Sequence, residues 1–399
     1  MILSTQETMT ITLRPHQTDA VNAMWDNNKG QVIIPTGGGK TMCMIEDALT
    51  ELEQSKRPKT IVVVAPRILL AVQLWEEFTE HIKNAEVLHV HSGEVDNAST
   101  TKVDQIKMHQ TICRTVGVHE LIFTTYHSLH RLQEAGIYVD TIYFDEAHNS
   151  VQRNFFGPTE YFSNNAKRCY FFTATPKHSL TISKPGMNDP EVYGQVIHNA
   201  PAPQLVQEGY ILPPKVVIQE LPTGDQRQSD CKNLLDTIDD NALNKILIAA
   251  RSTKQIVKLL SESDFQQQLT DRGYSCMYIT SKTGAIIDGV KVSRDKFFDT
   301  MNAWGKDPEK KFVVIHHSIL SEGINVNGLE AVLFMRNMDY IGISQSIGRV
   351  IRLGGAQKTF GLVCVPVYDR VGLGTARSVQ TVVDTVFEKG EPAISKVRR

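Results

Sequence analysis

Residues 31–42 read QVIIPTGGGKTM. A β-prone apolar run stops at Pro35 and three glycines follow. Lys40 and Thr41 then open a segment in which Met44, Ile45, Ala48, Leu49 and Leu52 recur at helical spacing. A glycine-rich turn between a strand and a helix points backbone N–H groups at one spot, and the helix N-terminus adds partial positive charge there. Such a turn cradles phosphate. Lys40 would reach the β- and γ-phosphates of a nucleotide, Thr41 would offer its hydroxyl to Mg²⁺, and Thr36, Gly37, Gly38 and Gly39 would form the loop. The strict pattern G-x-x-x-x-G-K-[ST] is not met, because Ile34 stands where the first glycine belongs. The plain alternative is a glycine-rich turn followed by a chance Lys-Thr pair.

The flanking pattern favours the cradle. Candidate strands at 31–34, 60–65, 120–124, 141–144 and 168–172 alternate with amphipathic stretches, which predicts a parallel sheet wrapped by helices. The proline-rich segment NAPAPQLVQEGYILPP (199–214) reads as a boundary. A second series at 216–220, 245–250, 276–280, 311–316, 331–335 and 359–366 repeats the architecture without repeating the sequence. The expected domains are therefore 1–200 and 215–399, joined by a linker at 201–214. A chain of 399 residues suits two domains. The polar stretch 84–119 has no clear assignment.

Bulk properties exclude several classes. No apolar run reaches the roughly 18 residues of a membrane helix, and the first residues lack the basic and apolar regions of a secretion signal. The six cysteines are scattered singly, against a disulfide framework and for a reducing compartment. Cytoplasmic placement, in a bacterial or phage-infected cell, is the expectation. Net charge is −2. Residues 1–205 carry 17 Lys+Arg against 22 Asp+Glu, and residues 206–399 carry 25 against 22. A nucleic-acid partner would have to be held by local contacts rather than overall charge.

The segment TIYFDEAH (141–148) is an apolar strand ending in two carboxylates. A carboxylate at the C-terminal end of a strand near a phosphate loop is placed to hold Mg²⁺, the role expected of Asp145. Glu146 is placed to orient and deprotonate an attacking water. The alternative is a solvated acidic turn.

With both motifs in view, the sequence resembles superfamily 2 helicases and translocases of the DEAH type. Within that type it resembles the branch related to restriction-enzyme motor subunits and to compact phage and bacterial branched-DNA helicases. The resemblance is carried in order by LRPHQTDAV (13–21), VVVAPRILLAVQ (62–73), FTTYHSL (123–129), FFTATP (171–176), LVQEGYILPP (205–214), ILIAARS (246–252), ILSEGINV (319–326) and QSIGRVIR (345–352). It implies two tandem RecA-like parallel-sheet α/β domains with a nucleotide cleft between them, using ATP and Mg²⁺. It assigns adenine reading to Gln17 with Arg14 as helper. His148, Thr173, Thr175 and Glu322 would couple hydrolysis to domain movement, and Gly323 would form a turn near phosphate. The last motif would supply Gln345, Arg349 and Arg352 to the γ-phosphate. Arg349 and Arg352, three apart, would share a helix face. Arginine fingers of this type contribute on the order of 10³–10⁵ in rate.

The track would be gripped through backbone N–H groups, helix N-termini and hydroxyls on phosphates. The candidates are Arg67, Thr124, Thr125 and Tyr126 in the first half and Ser252, Thr280 and Ser281 in the second. Tyr126 would stack a base or, as is commoner for tyrosine, sit in a core. Few residues follow Arg352, which tilts the expected partner toward single-stranded or branched DNA, with RNA as the alternative. A nuclease or recombination partner stays open, as does an ATP-gated clamp that binds nucleic acid without unwinding it. His89, His91, His109, Cys113 and His119 have types that suit zinc but spacing that matches no standard site. Trp25, Trp75 and Trp304 read as packing residues.

Overall fold

The computed structural model describes residues 11–396 except 94–98, 182, 222–225, 251, 281–282, 318–327, 336–339, 353–360 and 369–372. The chain divides into two compact units, one of residues 1–34, 39–200 and 396–399, the other of residues 35–38 and 201–395. No described helix is long and apolar enough to cross a membrane.

The first unit is built on a seven-stranded sheet. Its strands are β1 (Lys29–Ile33), β2 (Thr60–Ala65), β3 (Ala85–Val90), β4 (His119–Thr125), β5 (Thr141–Phe144), β6 (Arg168–Thr173) and β8 (Val196–Asn199), with a two-residue β7 (Lys177–His178) outside the sheet. The order is β3-β4-β2-β5-β6-β1-β8, and every pairing is parallel. Parallel strands need crossovers, and most of these are helices: α1 (Pro15–Asp26) precedes the sheet, and α2 (Lys40–Gln54), α3 (Ile68–His81), α4 (Val103–Val116), α5 (Leu129–Glu134) and α6 (Arg153–Asn165) link its strands. Helices on both faces leave the central strands buried throughout, and β2 and β5 are continuous apolar or Thr runs for that reason.

The stretch 84–119 is not an irregular insertion. It holds β3 and α4, one further strand–helix crossover on the edge of the sheet. Its signal was weak because an edge strand and its helix bury little: β3 is buried only over its last three residues, and α4 buries Ile106, Gln110 and Cys113 alone.

The second unit holds an eight-stranded sheet: β9 (Pro214–Leu221), β10 (Lys245–Ala249), β11 (Ser275–Thr280), β12 (Gly284–Ile287), β13 (Val290–Val292), β14 (Phe312–His316), β15 (Ala331–Phe334) and β16 (Gly361–Tyr368). The order is β13-β12-β11-β14-β10-β15-β16-β9. The core strands are parallel, and an antiparallel hairpin, β12–β13, extends one edge. The sequence had shown no sign of this hairpin. Each unit has its own apolar core, around Val62, Ile122, Phe144 and Phe171 in the first and Ile246, Val313, Leu333 and Leu362 in the second.

Candidate nucleotide site

Strand order places the motifs. β6 lies between β1 and β5, so the segments leaving the C-terminal ends of these three strands open on the same edge of the sheet. Neighbouring strands are about 4.8 Å apart, which sets the glycine loop after β1 and the acidic turn after β5 roughly 10 Å from each other. The segment Thr173–Thr175 emerges between them.

The loop is shaped by left-handed backbone at Gly37 (φ 87) and Gly39 (φ 85). The Gly38 N–H donates to the Pro35 carbonyl at 2.9 Å. Gly39 caps α2, so Lys40 and Thr41 start its first turn. The Gln17 side chain holds this loop from α1. Its Nε2 donates to the Gly39 carbonyl at 3.1 Å, and its Oε1 accepts the Arg14 N–H at 2.8 Å. The left-handed φ of Gly39 favours glycine, and a Cβ there would sit 2.2 Å from Gln17 Nε2 and push that amide off the loop.

The acidic turn is strained. Glu146 has φ 45 and ψ 52, left-handed backbone at a non-glycine residue, a conformation that costs about 1–3 kcal/mol and persists where surroundings enforce it. Here Tyr126 enforces it. Its hydroxyl donates to the Asp145 carbonyl at 2.8 Å, and its ring stacks on Phe144 and Phe155. Lys40 Nζ stands 3.7 Å from Glu146 Oε1. Asp145 is pushed up to about 7, first by burial and then by Glu146, against the pull of Lys40. Two adjacent carboxylates share one lysine, a negative excess that suits a hard divalent cation. Thr41 and Asp145 would hold Mg²⁺, which takes oxygen donors of this kind and supplies charge neutralisation beside phosphate.

His148 completes the cluster. Its Nδ1 lies 3.0 Å from Thr173 Oγ1, 3.2 Å from Thr175 Oγ1 and 3.6 Å from Glu146 Oε2. Burial holds the ring neutral, down to about 4, although Glu146 opposes it. The acidic turn is thus tied by side chains to the segment after β6.

Other expected site residues fall differently. Tyr126 is buried, so a base cannot stack on it; the structure makes it the support of the acidic turn. Thr124 is also interior, with its hydroxyl on the Val90 carbonyl, and Thr125 is 3% exposed. Arg67, at the start of α3, is exposed. Ser252 caps the helix Thr253–Ser261 by accepting the Gln255 N–H, and Thr280 is buried against Thr283. Ser281, Glu322 and Gly323 lie outside the described residues. Gln345 and Arg349 are buried in the helix Tyr340–Val350. Arg352 lies beyond its end, which corrects the expectation that the two arginines share one helical face. Burial pushes His316 down to about 3, and the nearby Arg349 charge adds to this.

His109 and Cys113, four apart on α4, meet Glu120 of β4 instead of His119; His109 Nδ1 is 2.7 Å from Glu120 Oε1. His89 and His91 pack against each other, with Trp75 edge-on to His89.

Comparison with known proteins agrees with this geometry. Residues 10–178 match the family model described as type III restriction enzyme, res subunit. No curated protein matches the sequence. The solved structure of the ATP-dependent Type ISP restriction-modification enzyme LlaBIII bound to DNA is similar over 97% of this chain, with TM-score 0.76 and 17% identity. A fragment described as an HsdR subunit of a type I restriction enzyme from Vibrio vulnificus YJ016 is similar over 97% of this chain and 69% of its own, with TM-score 0.64 and 16% identity. Mss116p bound to ssRNA and AMP-PNP is similar over 97% of this chain and 75% of its own, with TM-score 0.62 and 13% identity. The chain spans only 31% of the LlaBIII chain. These likenesses show a shared fold, two tandem RecA-like parallel-sheet α/β units.

Proposed function

We propose that the protein is an ATP-hydrolysing nucleic-acid motor, a DNA helicase or translocase. The observation that carries this reading is the Lys40–Glu146 approach beside buried Asp145, on the edge where the glycine loop opens. The β- and γ-phosphates are bound by the loop amides and Lys40. Glu146, held by the strained turn, takes the proton from the attacking water. Gln17, already bridging α1 to Gly39, reads the base, so its occupancy is felt directly at the phosphate loop. Arg349 and Arg352 neutralise charge developing on the γ-phosphate. His148, touching both Glu146 and the threonines after β6, passes on the loss of that phosphate. Only a nucleotide that binds one arrangement of the units better than another can drive movement.

DNA is favoured as the track because the structural relative LlaBIII was captured on DNA. RNA is the second reading, supported by the likeness to Mss116p on ssRNA. ATPase stimulation by single-stranded DNA, duplex, forked DNA and RNA separates them. The DNA reading expects the largest stimulation from DNA carrying a single strand. Stimulation by RNA alone would replace it. Nucleotide-dependent binding without strand displacement would make the protein a clamp. Lys40→Ala is expected to abolish turnover on every substrate, and near-normal turnover would remove the cradle assignment.

A further inference from the structure

The first unit carries a second cleft, at the opposite end of its sheet from the nucleotide site. The cleft is about 780 Å³ and opens at the N-terminal ends of β2, β5 and β6. That volume lies within the range of ligand sites. The six residues of β2 put it roughly 20 Å from the phosphate loop.

Its charge runs against its surroundings. The first half of the chain is acidic, yet the cleft is lined by six basic residues and two acidic ones. The acidic pair is already satisfied. Glu51 receives Lys59 at 3.0 Å, Arg168 at 3.0 Å and the Thr141 hydroxyl at 2.5 Å. Asp140 takes the Thr60 N–H at 3.0 Å, with Lys59 at 3.4 Å and Lys167 at 3.6 Å. These contacts leave Lys56, Arg57 and Arg114 exposed on the rim, with no carboxylate partner among the described residues.

Two rings flank this rim. Trp25 is 41% exposed and Tyr138 40% exposed. Arg168 lies 4.4 Å from the Trp25 ring, and Arg114 lies 4.9 Å from the Tyr138 ring. Flat aromatic and guanidinium surfaces between unspent cations are what unpaired bases and their phosphates use. An acidic peptide would engage the cations but leave the rings without a role.

We propose that this cleft is a second binding site for single-stranded nucleic acid, with phosphates on Lys56, Arg57 and Arg114 and bases against Trp25 and Tyr138. The choice of nucleic acid rests on the motor reading; the cleft itself does not. A strand held here lies outside the motif-lined track and gives the protein a grip that does not depend on the nucleotide state.

The test uses the full chain and a 5-iodouracil-substituted oligonucleotide about 30 nucleotides long, well above the roughly 4–16 nucleotides of a compact single-strand site. Photo-crosslinks are mapped by mass spectrometry, and affinity is measured across salt concentrations. Crosslinks at Trp25 or Tyr138 are expected. The triple variant Lys56→Glu, Arg57→Glu, Arg114→Glu should lower affinity on the order of tenfold to a hundredfold and reduce the salt slope by about 2. Its ATPase activity without nucleic acid should be unchanged. Tyr138→Ala should lower the crosslink yield, and its melting temperature guards against misfolding. Crosslinks confined to other segments, together with unaltered affinity in the triple variant, would overturn the proposal. Displacement of the oligonucleotide by poly-glutamate with no crosslink at either ring would also overturn it, in favour of an acidic partner. Lys40→Ala is carried in parallel: it should keep the Trp25 or Tyr138 crosslink. Retained turnover in that variant would defeat the motor reading without touching the cleft.

Discussion

At the scale of single residues, the candidate site gathers a few titratable side chains whose surroundings set their state. Glu146 sits in left-handed backbone with Lys40 on one oxygen and His148 near the other. Glu146→Gln keeps the shape of the side chain and removes its basicity. Nucleotide affinity should stay close to wild type while single-turnover hydrolysis falls by about 10²–10⁴; unchanged hydrolysis would move water activation to another group. The buried histidines carry a pH prediction. His89 and His148 are held down to about 4 and His316 to about 3, in each case first by burial. A histidine depressed in the folded state binds fewer protons there than when unfolded. Its contribution is therefore intact above about 6.5 and is lost as pH falls through the folded value. Asp145, raised to about 7, works the other way between about 4 and 7. Three histidines outweigh one carboxyl, so the urea midpoint should fall between pH 6.5 and pH 4, with a slope of about 1.4 kcal/mol per pH unit for each net proton. A flat profile over that interval would show that the imidazoles are solvated. Lys40, Asp145 and Glu146 were legible in the sequence because each lies in a short string next to its strand. The link from Tyr126 to Asp145 was not, because it spans 19 residues and depends on which strands are neighbours.

At the scale of elements, the parallel alternation was readable because central strands are apolar along their whole length. The edge elements were harder to read. β3 and α4 bury a few residues each, and the β12–β13 hairpin carries the exposed Val290, so no periodic pattern reveals them. The acidic turn shows how elements make a site that no motif contains. β4 continues into Tyr126, whose N–H donates to Ala65 of β2 and whose hydroxyl reaches the carbonyl at the end of β5. Three strands thereby fix one peptide. Tyr126→Phe removes only the hydroxyl and leaves the Asp145 carbonyl without that donor, at a cost of about 1–3 kcal/mol. Hydrolysis should slow more than nucleotide binding weakens, because the strained Glu146 loses its support. Equal losses in both, measured by single-turnover assay and nucleotide titration, would mean that the turn holds its shape without Tyr126.

At the scale of the whole molecule, two units with separate cores predict separate unfolding. The first unit is braced beneath its sheet by a network that composition does not reveal. Asp47 and Glu51, four apart on α2, point inward from an otherwise apolar face and meet Arg168 at the start of β6, at 2.6 Å and 3.0 Å. Tyr143 donates to the same Asp47 carboxylate at 2.5 Å. The clue in the sequence was two carboxylates on the buried side of an amphipathic helix, which has no meaning until the partner arginine, over a hundred residues later, is placed beside them. Replacing Arg168 by methionine keeps bulk but leaves two buried carboxylates short of their cation, and breaking such a group costs about 3–5 kcal/mol. In a unit of this size each kcal/mol is worth about 2–4 °C. Calorimetry of the full chain should then show one transition lowered by roughly 10 °C and the other unmoved, because no described residue of the second unit takes part in the network. If both transitions fall together, the two units unfold as one cooperative body; if neither moves, the carboxylates take up protons or water more easily than their burial implies.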